Sequence, residues 1–512
     1  MNLVYNIKDK PKFGQTLLFA LQQLLAIMAA TIAVPAIVGN GMSATAALFG
    51  AGVGTLVYLL FTKFRSPVFL GSSFAFLGSM AAAFAGGVSM ALGYLGLIIG
   101  ACFAGLVYVI IAIIVKFAGV KWINKLMPAI VIGPIVAIIG LSLAGNAIGD
   151  LKKGNVNKTV YAVTLDVEEM SAETRDQFVE FTDENGETKI AFEDKETGVK
   201  KQLVSDVDET HAVVRTFTPG QQQTAHWAAC LFVGLVTLAV TMLCSVYGKK
   251  MLKMIPFIIG ILAGYAVAAV MTLIGSLANL PKLMIIDFSI FKNVQIFAVP
   301  DFTFLTAFKG FGELSWTYVL TIIVAYAPVA FVVFAEHLAD HKNLSSIIGV
   351  DLTEDPGLHR TLLGDGVGSF AGAIFGGCPN TTYGESIGCV AISGNASVIT
   401  IVYTAILAIL ISFIGPFSAF LASIPSCVMG GVCIALYGFI AVSGLKMIQK
   451  VDLNENRNLF VVSVILIAGV GGLFVTFRDI KITTVACALL LGIFTNLILG
   501  GMKKKQQKNE DK

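Results

Sequence analysis

The sequence contains few charged residues, and long stretches contain almost none. Only 13% of its 512 residues are charged, whereas 56% are hydrophobic and the mean hydropathy is +0.83. A soluble domain carries roughly 25% charged residues, so this composition excludes an ordinary soluble protein and predicts a polytopic membrane protein. The net charge of +3 is uninformative because the charges are so unevenly placed, and no stretch predicts a nucleic-acid-binding surface.

Motifs for catalysis and for cofactor binding are also missing. The eight cysteines lie almost entirely in apolar runs without metal-ligand spacing, and they indicate no disulfide framework. We find no phosphate-binding loop and no nucleophile triad, so we predict neither an enzyme nor a cofactor. We also find no cleavable signal. His337 and His341 have i, i+4 spacing, but Glu-His-x-x-x-His lacks the His-Glu-x-x-His order of metalloproteases, so we predict no metal site.

What the sequence does contain is a series of apolar runs long enough to cross a bilayer. About 18 to 25 apolar residues are needed for one helical crossing, and the 52 glycines suit closely packed membrane helices. The predicted fold class is an all-α polytopic membrane protein with about fourteen spans, several of them short. We place the spans at 15–37, 45–62, 67–84, 90–115, 126–148, 225–247, 254–276, 316–337, 361–376, 380–393, 396–414, 423–442, 458–475 and 482–500.

Basic residues between the spans predict the orientation of the chain. Short loops rich in Lys and Arg stay on the cytoplasmic side, and the clusters here fall on one side when the spans alternate. We therefore expect both termini to be cytoplasmic. The clusters are Lys8, Lys10 and Lys12; Lys63 and Arg65; Lys116, Lys121 and Lys125; Lys249, Lys250 and Lys253; Lys342; Lys446 and Lys450; and Lys503 to Lys505.

A polar insert at 149–224 interrupts the apolar pattern. It holds sixteen of the chain's thirty-two acids against nine Lys and Arg. Alternation over Thr159–Val167 and Phe178–Phe192 predicts strands, with a tight Asn-Gly hairpin at Glu184-Asn-Gly-Glu187. We predict an extracellular β-rich insert, either a solvated cap or a partner-binding or gating element. A second external linker is expected at 277–314.

An internal repeat suggests two halves of opposite orientation. Pro128-x-x-Val131-x-Gly133 recurs 297 residues later as Pro425-x-x-Val428-x-Gly430, seven spans further along. Because seven is odd, the two copies run in opposite directions. Inverted repeats of this kind are common in secondary transporters, so we predict two inverted repeats of seven spans.

Two acids and two breaks in the apolar pattern predict a binding site inside the membrane. Glu385 is the one Asp, Glu, His, Lys or Arg between Asp365 and Lys446, and Glu336 follows the uncharged run Trp316–Ala335. An ionisable group at bilayer depth costs roughly 3 kcal/mol, so it usually serves function. Polar breaks at Pro379–Glu385 and Gly71–Phe76 interrupt the corresponding spans 10 and 3, which is where transporters bind solutes.

The chemistry of these groups favours a flat polar solute and a moving proton. Carboxylates accept hydrogen bonds from ring N–H groups, and the exposed backbone of a broken span supplies further donors and acceptors. Asp340 lies one helical turn after Glu336 and faces the same side if the helix continues. Gly368, Gly372 and Gly376 form a small-residue face that predicts close helix packing.

Several motifs resemble the nucleobase–ascorbate transporter family, the second type of nucleobase:cation symporter, and most closely its uracil branch. The likeness covers essentially the whole chain except the insert. The matching stretches are Phe334-Ala-Glu-His337, Asp355-Pro-Gly-Leu-His-Arg360, Pro379-Asn-Thr-Thr-Tyr-Gly-Glu385, Gly71-Ser-Ser-Phe-Ala-Phe76, Ala29-Ala-Thr-Ile-Ala-Val-Pro35, Val428-Met-Gly-Gly431 and Leu436-Tyr-Gly438.

The resemblance implies a division into a core domain and a gate domain, with short strands in broken spans 3 and 10. Residues 1–148 would hold core spans 1–4 and gate span 5, and 149–224 the insert. Residues 225–315 would hold gate spans 6–7 and a linker, 316–414 core spans 8–11, and 415–512 gate spans 12–14 and a cytoplasmic tail.

The resemblance also implies a substrate site. Glu336 and Glu385 would bind a pyrimidine ring, and backbone groups at Phe74 and Gly384 would complete the polar contacts. Ala30, Tyr383 and Tyr437 would line the pocket. The expected function is proton-coupled import of uracil across the cytoplasmic membrane; the alternatives are a xanthine or purine carrier and a Na⁺-coupled carrier. A homodimer is left open.

One departure from the family pattern concerns the coupling ion. Where the pattern has a His implicated in proton coupling, this chain has Asp340, followed by His341. Glu336, Asp340 and His341 are therefore the candidate proton-coupling residues, and three carboxylates could favour Na⁺ instead. A membrane receptor, in which the insert is the functional part, is the competing class; a membrane enzyme lacks a catalytic constellation.

Overall fold

The computed structural model describes residues 3–119, 128–182, 188–195, 197–208, 210–249, 251–477 and 480–510. These residues are mostly helical. The α-helices are α1 (Phe13–Val38), α2 (Ala44–Phe61), α3 (Leu77–Ala83), α4 (Met90–Ala118), α5 (Ala129–Ser142), α6 (Ala144–Asp150), α7 (Ala172–Arg175), α8 (Trp227–Tyr247), α9 (Met251–Met254), α10 (Pro256–Leu277), α11 (Thr303–Ala307), α12 (Trp316–Ile348), α13 (Leu358–Gly376), α14 (Gly384–Ser393), α15 (Val398–Ile411), α16 (Gly415–Ser423), α17 (Ser426–Ile448), α18 (Asn456–Val470) and α19 (Thr484–Glu510).

The strands form three separate antiparallel sheets. One has two short strands from distant parts of the chain, one is the five-stranded sheet of the insert, and one is a small hairpin that the sequence did not predict. The strands are β1 (Leu70–Ser72), β2 (Asn157–Glu169), β3 (Val179–Thr182), β4 (Thr188–Glu193), β5 (Lys200–Asp206), β6 (His211–Gln223), β7 (Asn380–Thr382), β8 (Val475–Phe477) and β9 (Ile480–Ile482).

Apolar helices dominate the fold, as the composition predicts. Among the described residues eight helical segments of 18 or more residues are long and apolar enough to cross a membrane, and four apolar helices are shorter. Each of the fourteen predicted spans contains a helix, whereas α16 lies between predicted spans 11 and 12. The polytopic membrane fold is confirmed; the count of fourteen crossings stays a prediction.

The two predicted breaks come together as one small sheet inside the helical bundle. β1 pairs with β7 in antiparallel register, with Gly71 opposite Thr381. Each strand satisfies the other's backbone N–H and C=O groups, which is what non-helical backbone needs at membrane depth. Tyr383 closes the arrangement because its hydroxyl donates to the Ser72 carbonyl at 2.7 Å. A Cβ at Gly71 would overlap the Tyr383 ring, so only glycine fits there.

The predicted small-residue face on α13 packs closely against α2. A Cβ at Gly372 would lie 2.9 Å from the Gly50 carbonyl, and one at Gly368 would lie 2.6 Å from the Gly54 carbonyl. The Asn380 amide donates to that Gly50 carbonyl at 3.2 Å. Close backbone approach through small residues is therefore confirmed, and it holds β7 against the α2–α13 pair.

The helices that carry the repeated Pro-Val-Gly motif run against each other. Pro128 precedes α5 and Pro425 precedes α17. Gly133, at the start of α5, faces Gly444 near the end of α17. At the other end, Gly430 near the start of α17 faces Ala147 of α6, which continues α5. The two copies are thus antiparallel neighbours, as an inverted repeat requires.

The insert forms a sheet with strand order β2-β6-β5-β4-β3. Its predicted strands are present, and the predicted tight turn at 184–187 lies outside the described residues. One face of the sheet is covered by the segment around α7, where Met170 and Phe178 pack on Ala212, Val214 and Leu203. The base of the sheet is fixed to α17, since the Cys427 N–H donates to the Lys153 carbonyl at 2.8 Å.

Candidate substrate site

A cavity of about 420 Å³ lies beside the β1–β7 pair. One wall is polar and comes from α12, β7 and the starts of the two half-helices. The opposite wall is apolar and comes from α5, α10 and α17. The lining residues are Ser73, Phe74, Ala75, Ile132, Val136, Ile139, Phe257, Ala335, Glu336, Ala339, Asp340, Thr381, Thr382, Tyr383, Gly384, Glu385, Leu436, Phe439, Ile440, Ser443 and Met447.

Three carboxylates line this cavity. Glu336 and Asp340 lie one turn apart on α12, which runs eleven residues past the predicted end of its span and so places both on one face. Glu385 lies in the first turn of α14. The Thr382 hydroxyl donates to Asp340 Oδ2 at 2.8 Å and ties α12 to β7. The cavity therefore offers several carboxylate acceptors on one side.

The starts of two half-helices supply donors to the same cavity. α14 begins at Gly384, and a single 3₁₀ turn, Phe74–Phe76, begins the helical part of the other broken span. The first N–H groups of a helix have no partner within the helix. A Cβ at Gly384 would meet no atom within 4 Å, so this backbone is open to the cavity. Carboxylates and free N–H groups thus face one space, which suits a solute with both donors and acceptors.

A buried polar network lies behind the polar wall. His337 Nδ1 is 2.8 Å from Asp365 Oδ2, and His337 Nε2 is 3.0 Å from the Thr361 hydroxyl. The Thr381 hydroxyl donates to the same Asp365 oxygen at 3.4 Å. Both His337 and Asp365 have no exposed side-chain surface. Since both ring nitrogens of His337 are occupied, this residue is not open to a metal ion.

His341 lies on the side of α12 away from the cavity. Its Nε2 is 2.8 Å from the Tyr58 hydroxyl, and its Nδ1 is 2.9 Å from the His337 carbonyl. The two histidine rings stack with centroids 4.0 Å apart. His341 was predicted as a proton-coupling residue; the structure places it in this network and not in the cavity lining.

Five of the seven residues predicted for substrate binding line the cavity, namely Glu336, Glu385, Phe74, Tyr383 and Gly384. The other two do not. Ala30 is buried in the packing of α1, and the Tyr437 ring lies 6.2 Å from the Phe74 ring in an edge-to-face contact. The sequence analysis used Asp365 only as one limit of the run in which Glu385 is the single charged residue. An acid within the glycine-rich α13 was the signal that could have found it.

A family model described as a permease family matches residues 14–172 and 215–477. Uracil permeases from Bacillus caldolyticus and Bacillus subtilis (strain 168) are 36% and 34% identical to this chain over 97% and 98% of its length, covering 95% and 96% of theirs. The chain belongs to this family.

This permease is thereby a transporter and not an enzyme, and its resemblance to the nucleobase–ascorbate transporters is confirmed. The Escherichia coli (strain K12) uracil permease is 33% identical over 96% of this chain and 93% of its own. The family match is interrupted between 172 and 215, inside the insert.

Solved structures give the fold alone. The transmembrane domain of the cyanobacterial bicarbonate transporter BicA aligns with a TM-score of 0.57 at 14% identity, over 96% of this chain and 99% of its own. The murine anion transporter Slc26a9 aligns with a TM-score of 0.58 at 13% identity, over 97% of this chain and 70% of its own. Both are transmembrane transporters.

Proposed function

We propose that this permease imports uracil across the cytoplasmic membrane together with protons, by alternating access between a core domain and a gate domain. The observation that carries the proposal is the cavity between Glu336, Glu385 and the starts of the two half-helices. Uracil has two ring N–H donors and two carbonyl acceptors. The carboxylates accept hydrogen bonds from the ring N–H groups, and backbone N–H groups at Phe74 and Gly384 donate hydrogen bonds to the uracil carbonyls. Relatives named uracil permease support the choice of ring.

Helix packing supports the two moving bodies. α2 packs on α13, α4 on α13 and α12, and α1 on α15. Separately, α17 packs on α5 and α8, and α18 packs on α5. The first group comes from spans 1, 2, 4, 8, 9 and 11 of the proposed core domain, and the second comes from spans 5, 6, 12 and 13 of the proposed gate domain. The substrate cavity lies where the polar wall of the first group meets the apolar wall of the second.

The cavity lining favours a state open to the cytoplasm. Ser443 and Met447 belong to the last turns of α17, next to Lys446. The rule that basic loops stay inside places that end of α17 at the cytoplasmic surface. The same rule puts both termini inside and the insert outside. On the opposite side Met28, Ala29 and Ile32 of α1 pack with Val432 and Leu436 of α17, so the external side is closed.

Asp340 is the proposed proton carrier. It lines the cavity one turn from Glu336 and accepts a hydrogen bond from the Thr382 hydroxyl. When the cavity closes and excludes water, burial disfavours the charged form of a carboxyl group, so the group binds a proton more readily. When the cavity is open to water, the charged form is favoured again. Glu336 and Glu385 then remain free to bind the ring.

Transport by purified permease in proteoliposomes tests these proposals separately. A proton gradient at uniform Na⁺ should drive accumulation of labelled uracil, and a protonophore should abolish it. Accumulation that follows a Na⁺ gradient at uniform pH would overturn proton coupling but leave the substrate in place. Accumulation of labelled xanthine without accumulation of labelled uracil would instead make this chain a purine carrier.

A further inference from the structure

The outer edge of the insert sheet is a long strand without a partner. Strand order places β2 at the edge, and in the part of the chain that the structure describes it pairs with β6 alone. β2 has thirteen residues, of which twelve are exposed and one is half-buried. The backbone N–H and C=O groups on its outer side therefore form an unpaired row about 40 Å long.

Natural sheets protect such edges, and the central part of β2 carries none of the usual protection. Proline, bulges and central charges keep an edge strand from pairing with another chain. β2 has no proline, its register with β6 is unbroken over all thirteen pairs, and its central stretch Thr159–Leu165 is uncharged. Tyr161, Val163 and Leu165 point to one face and are 39%, 56% and 57% exposed. An edge like this is a template for another strand.

We propose that β2 pairs with β2 of a second copy of this chain, antiparallel and about a two-fold axis at Val163. This register uses all thirteen residues, because Val163 is the middle of the strand. Val163 then lies opposite the partner's Val163, and Tyr161 lies opposite the partner's Leu165. A two-fold interface of this kind is self-complementary and closes as a dimer.

Charge supports this register. Lys158 lies opposite the partner's Glu168, and the same pair occurs again at the other end of the interface. Asp166 lies opposite the partner's Val160, so no like charges face each other. Opposite charges directly across an antiparallel pair stabilise it, and like charges destabilise it.

The insert can present this edge without disturbing the transporter. Its base is fixed to α17 through Lys153 and through Asn155, whose amide donates to the Ile424 carbonyl at 2.9 Å. The two-fold axis is perpendicular to the sheet. If the sheet lies parallel to the membrane surface, two copies in the same bilayer can pair. If the sheet stands perpendicular to that surface, the copies pair between two facing membranes. In detergent the molecules orient freely, so the pairing is measured there.

Disulfide cross-linking of the full-length permease in detergent tests the register. The background carries Cys102→Ser and Cys244→Ser, since these two native cysteines are the part-buried ones. Directly opposed residues have Cα atoms about 4.5–5.5 Å apart, within disulfide range. Val163→Cys should therefore cross-link to itself under copper-catalysed oxidation by O₂, which takes two electrons and two protons from the thiol pair. Ala162→Cys mixed with Thr164→Cys should also cross-link.

Thr164→Cys alone is the matched control. In this register its copies are diagonal neighbours, about 7–8 Å apart, too far for an unstrained disulfide. The proposal is overturned if Val163→Cys dimerises no more than the background, or if Thr164→Cys alone cross-links as well as the mixture. Equal self-linking of Leu165→Cys and Val163→Cys would mean face-to-face stacking of the sheets and also overturns it.

A charge exchange gives an independent test. Lys158→Glu should lower the Val163→Cys dimer yield about tenfold, because two attractive pairs become repulsive. Glu168→Lys should do the same. The double variant Lys158→Glu with Glu168→Lys should restore the yield, although Glu168 also bonds Lys201 at 2.7 Å within its own sheet. If the double variant is no better than the single ones, these residues do not face each other.

Discussion

At the scale of single residues, position on a helix decides what each acid in this permease can do. Glu336 and Asp340 share the cavity face of α12, whereas His337, one residue further than Glu336, faces inward to Asp365. Glu385 reaches the same cavity from the first turn of α14, where the positive end of the helix dipole favours a carboxylate. The sequence does not distinguish these four acids, whereas the structure places three of them in the cavity lining and Asp365 beside His337.

The proposed ring contacts predict a loss of affinity when one carboxylate is neutralised. Glu336→Gln or Glu385→Gln should weaken uracil binding about ten- to a hundredfold, because a charge-assisted hydrogen bond contributes roughly 1.5–3 kcal/mol. Glu313→Gln is the control, since Glu313 is exposed on a distant 3₁₀ turn. Equilibrium binding to purified protein is the measurement. Unchanged affinity in either folded cavity variant would remove that residue from the site.

Asp340 should matter for coupling more than for binding. In Asp340→Asn the amide oxygen can still accept a hydrogen bond from the Thr382 hydroxyl. We therefore expect this variant to fold and to bind uracil nearly as the wild type does. Because an amide carries no exchangeable charge, proton-driven accumulation should slow strongly. Binding and pH-gradient uptake are compared on one preparation, with the exposed Asp301→Asn as control. Accumulation at the wild-type rate and level would exclude Asp340 as the proton carrier.

At the scale of elements, the broken spans depend on one close contact. The β1–β7 pair is three residues long, too short to hold the polar wall without support from its neighbours. The Tyr383 ring fills the space over Gly71 and its hydroxyl bonds Ser72. Ring, glycine and strand therefore act as one unit, and the half-helix starts on either side are positioned by it.

A methyl group at Gly71 should disrupt that unit. Gly71→Ala places a Cβ atom too close to the Tyr383 ring, and overpacking of this kind costs roughly 1–3 kcal/mol. We expect a lower melting temperature and weaker uracil binding. Gly78→Ala is the matched control, because a Cβ there meets nothing within 4 Å and alanine favours helix α3. A Gly71→Ala protein that melts and binds like the wild type would contradict the close contact.

At the scale of the whole molecule, the hydrogen bonds that join the described part of the insert to α17 and the turn before it lie at its base. One hydrogen bond joins Lys153 to α17, and another joins Asn155 to the turn before α17. Strands β3, β4 and β5 pair within the sheet. The family match also continues on both sides of 173–214 without it. β3, β4 and β5 thus lie outside the family match and, by their contacts, apart from the substrate cavity.

Removing the sheet but keeping its base should leave transport intact. Lys158 pairs with Gln222, so a two-residue turn can replace 159–221. We expect normal expression and normal uracil uptake, together with loss of any cross-linking through β2. A deletion of 153–223 should instead lower the yield of folded protein, because it removes the partners of Cys427 and Ile424 on α17 and the turn before it. Loss of uptake in the well-folded shorter deletion would make the insert part of the transport mechanism.

Much of this architecture could be predicted because its causes are local. Apolar runs must enter the membrane, a polar insert must stay outside it, and an acid such as Glu385 is too costly there without a role. The breaks at Gly71 and Pro379 could also be predicted, because each is a local polar interruption of an apolar run. The hairpin β8–β9 and helix α16 were missed because short elements carry little periodic signal.

The sequence by itself determined the membrane fold, the paired breaks and the identity of the acids that line the cavity. Only the tertiary structure decided which side chains face that cavity: Ala30 and Tyr437 lie outside its lining, His341 turns to Tyr58, and Asp365 pairs with His337. It also decided that β2, and not β3, carries the long free edge. Burial cost is a property of each residue, whereas orientation depends on which distant helix or strand packs beside it.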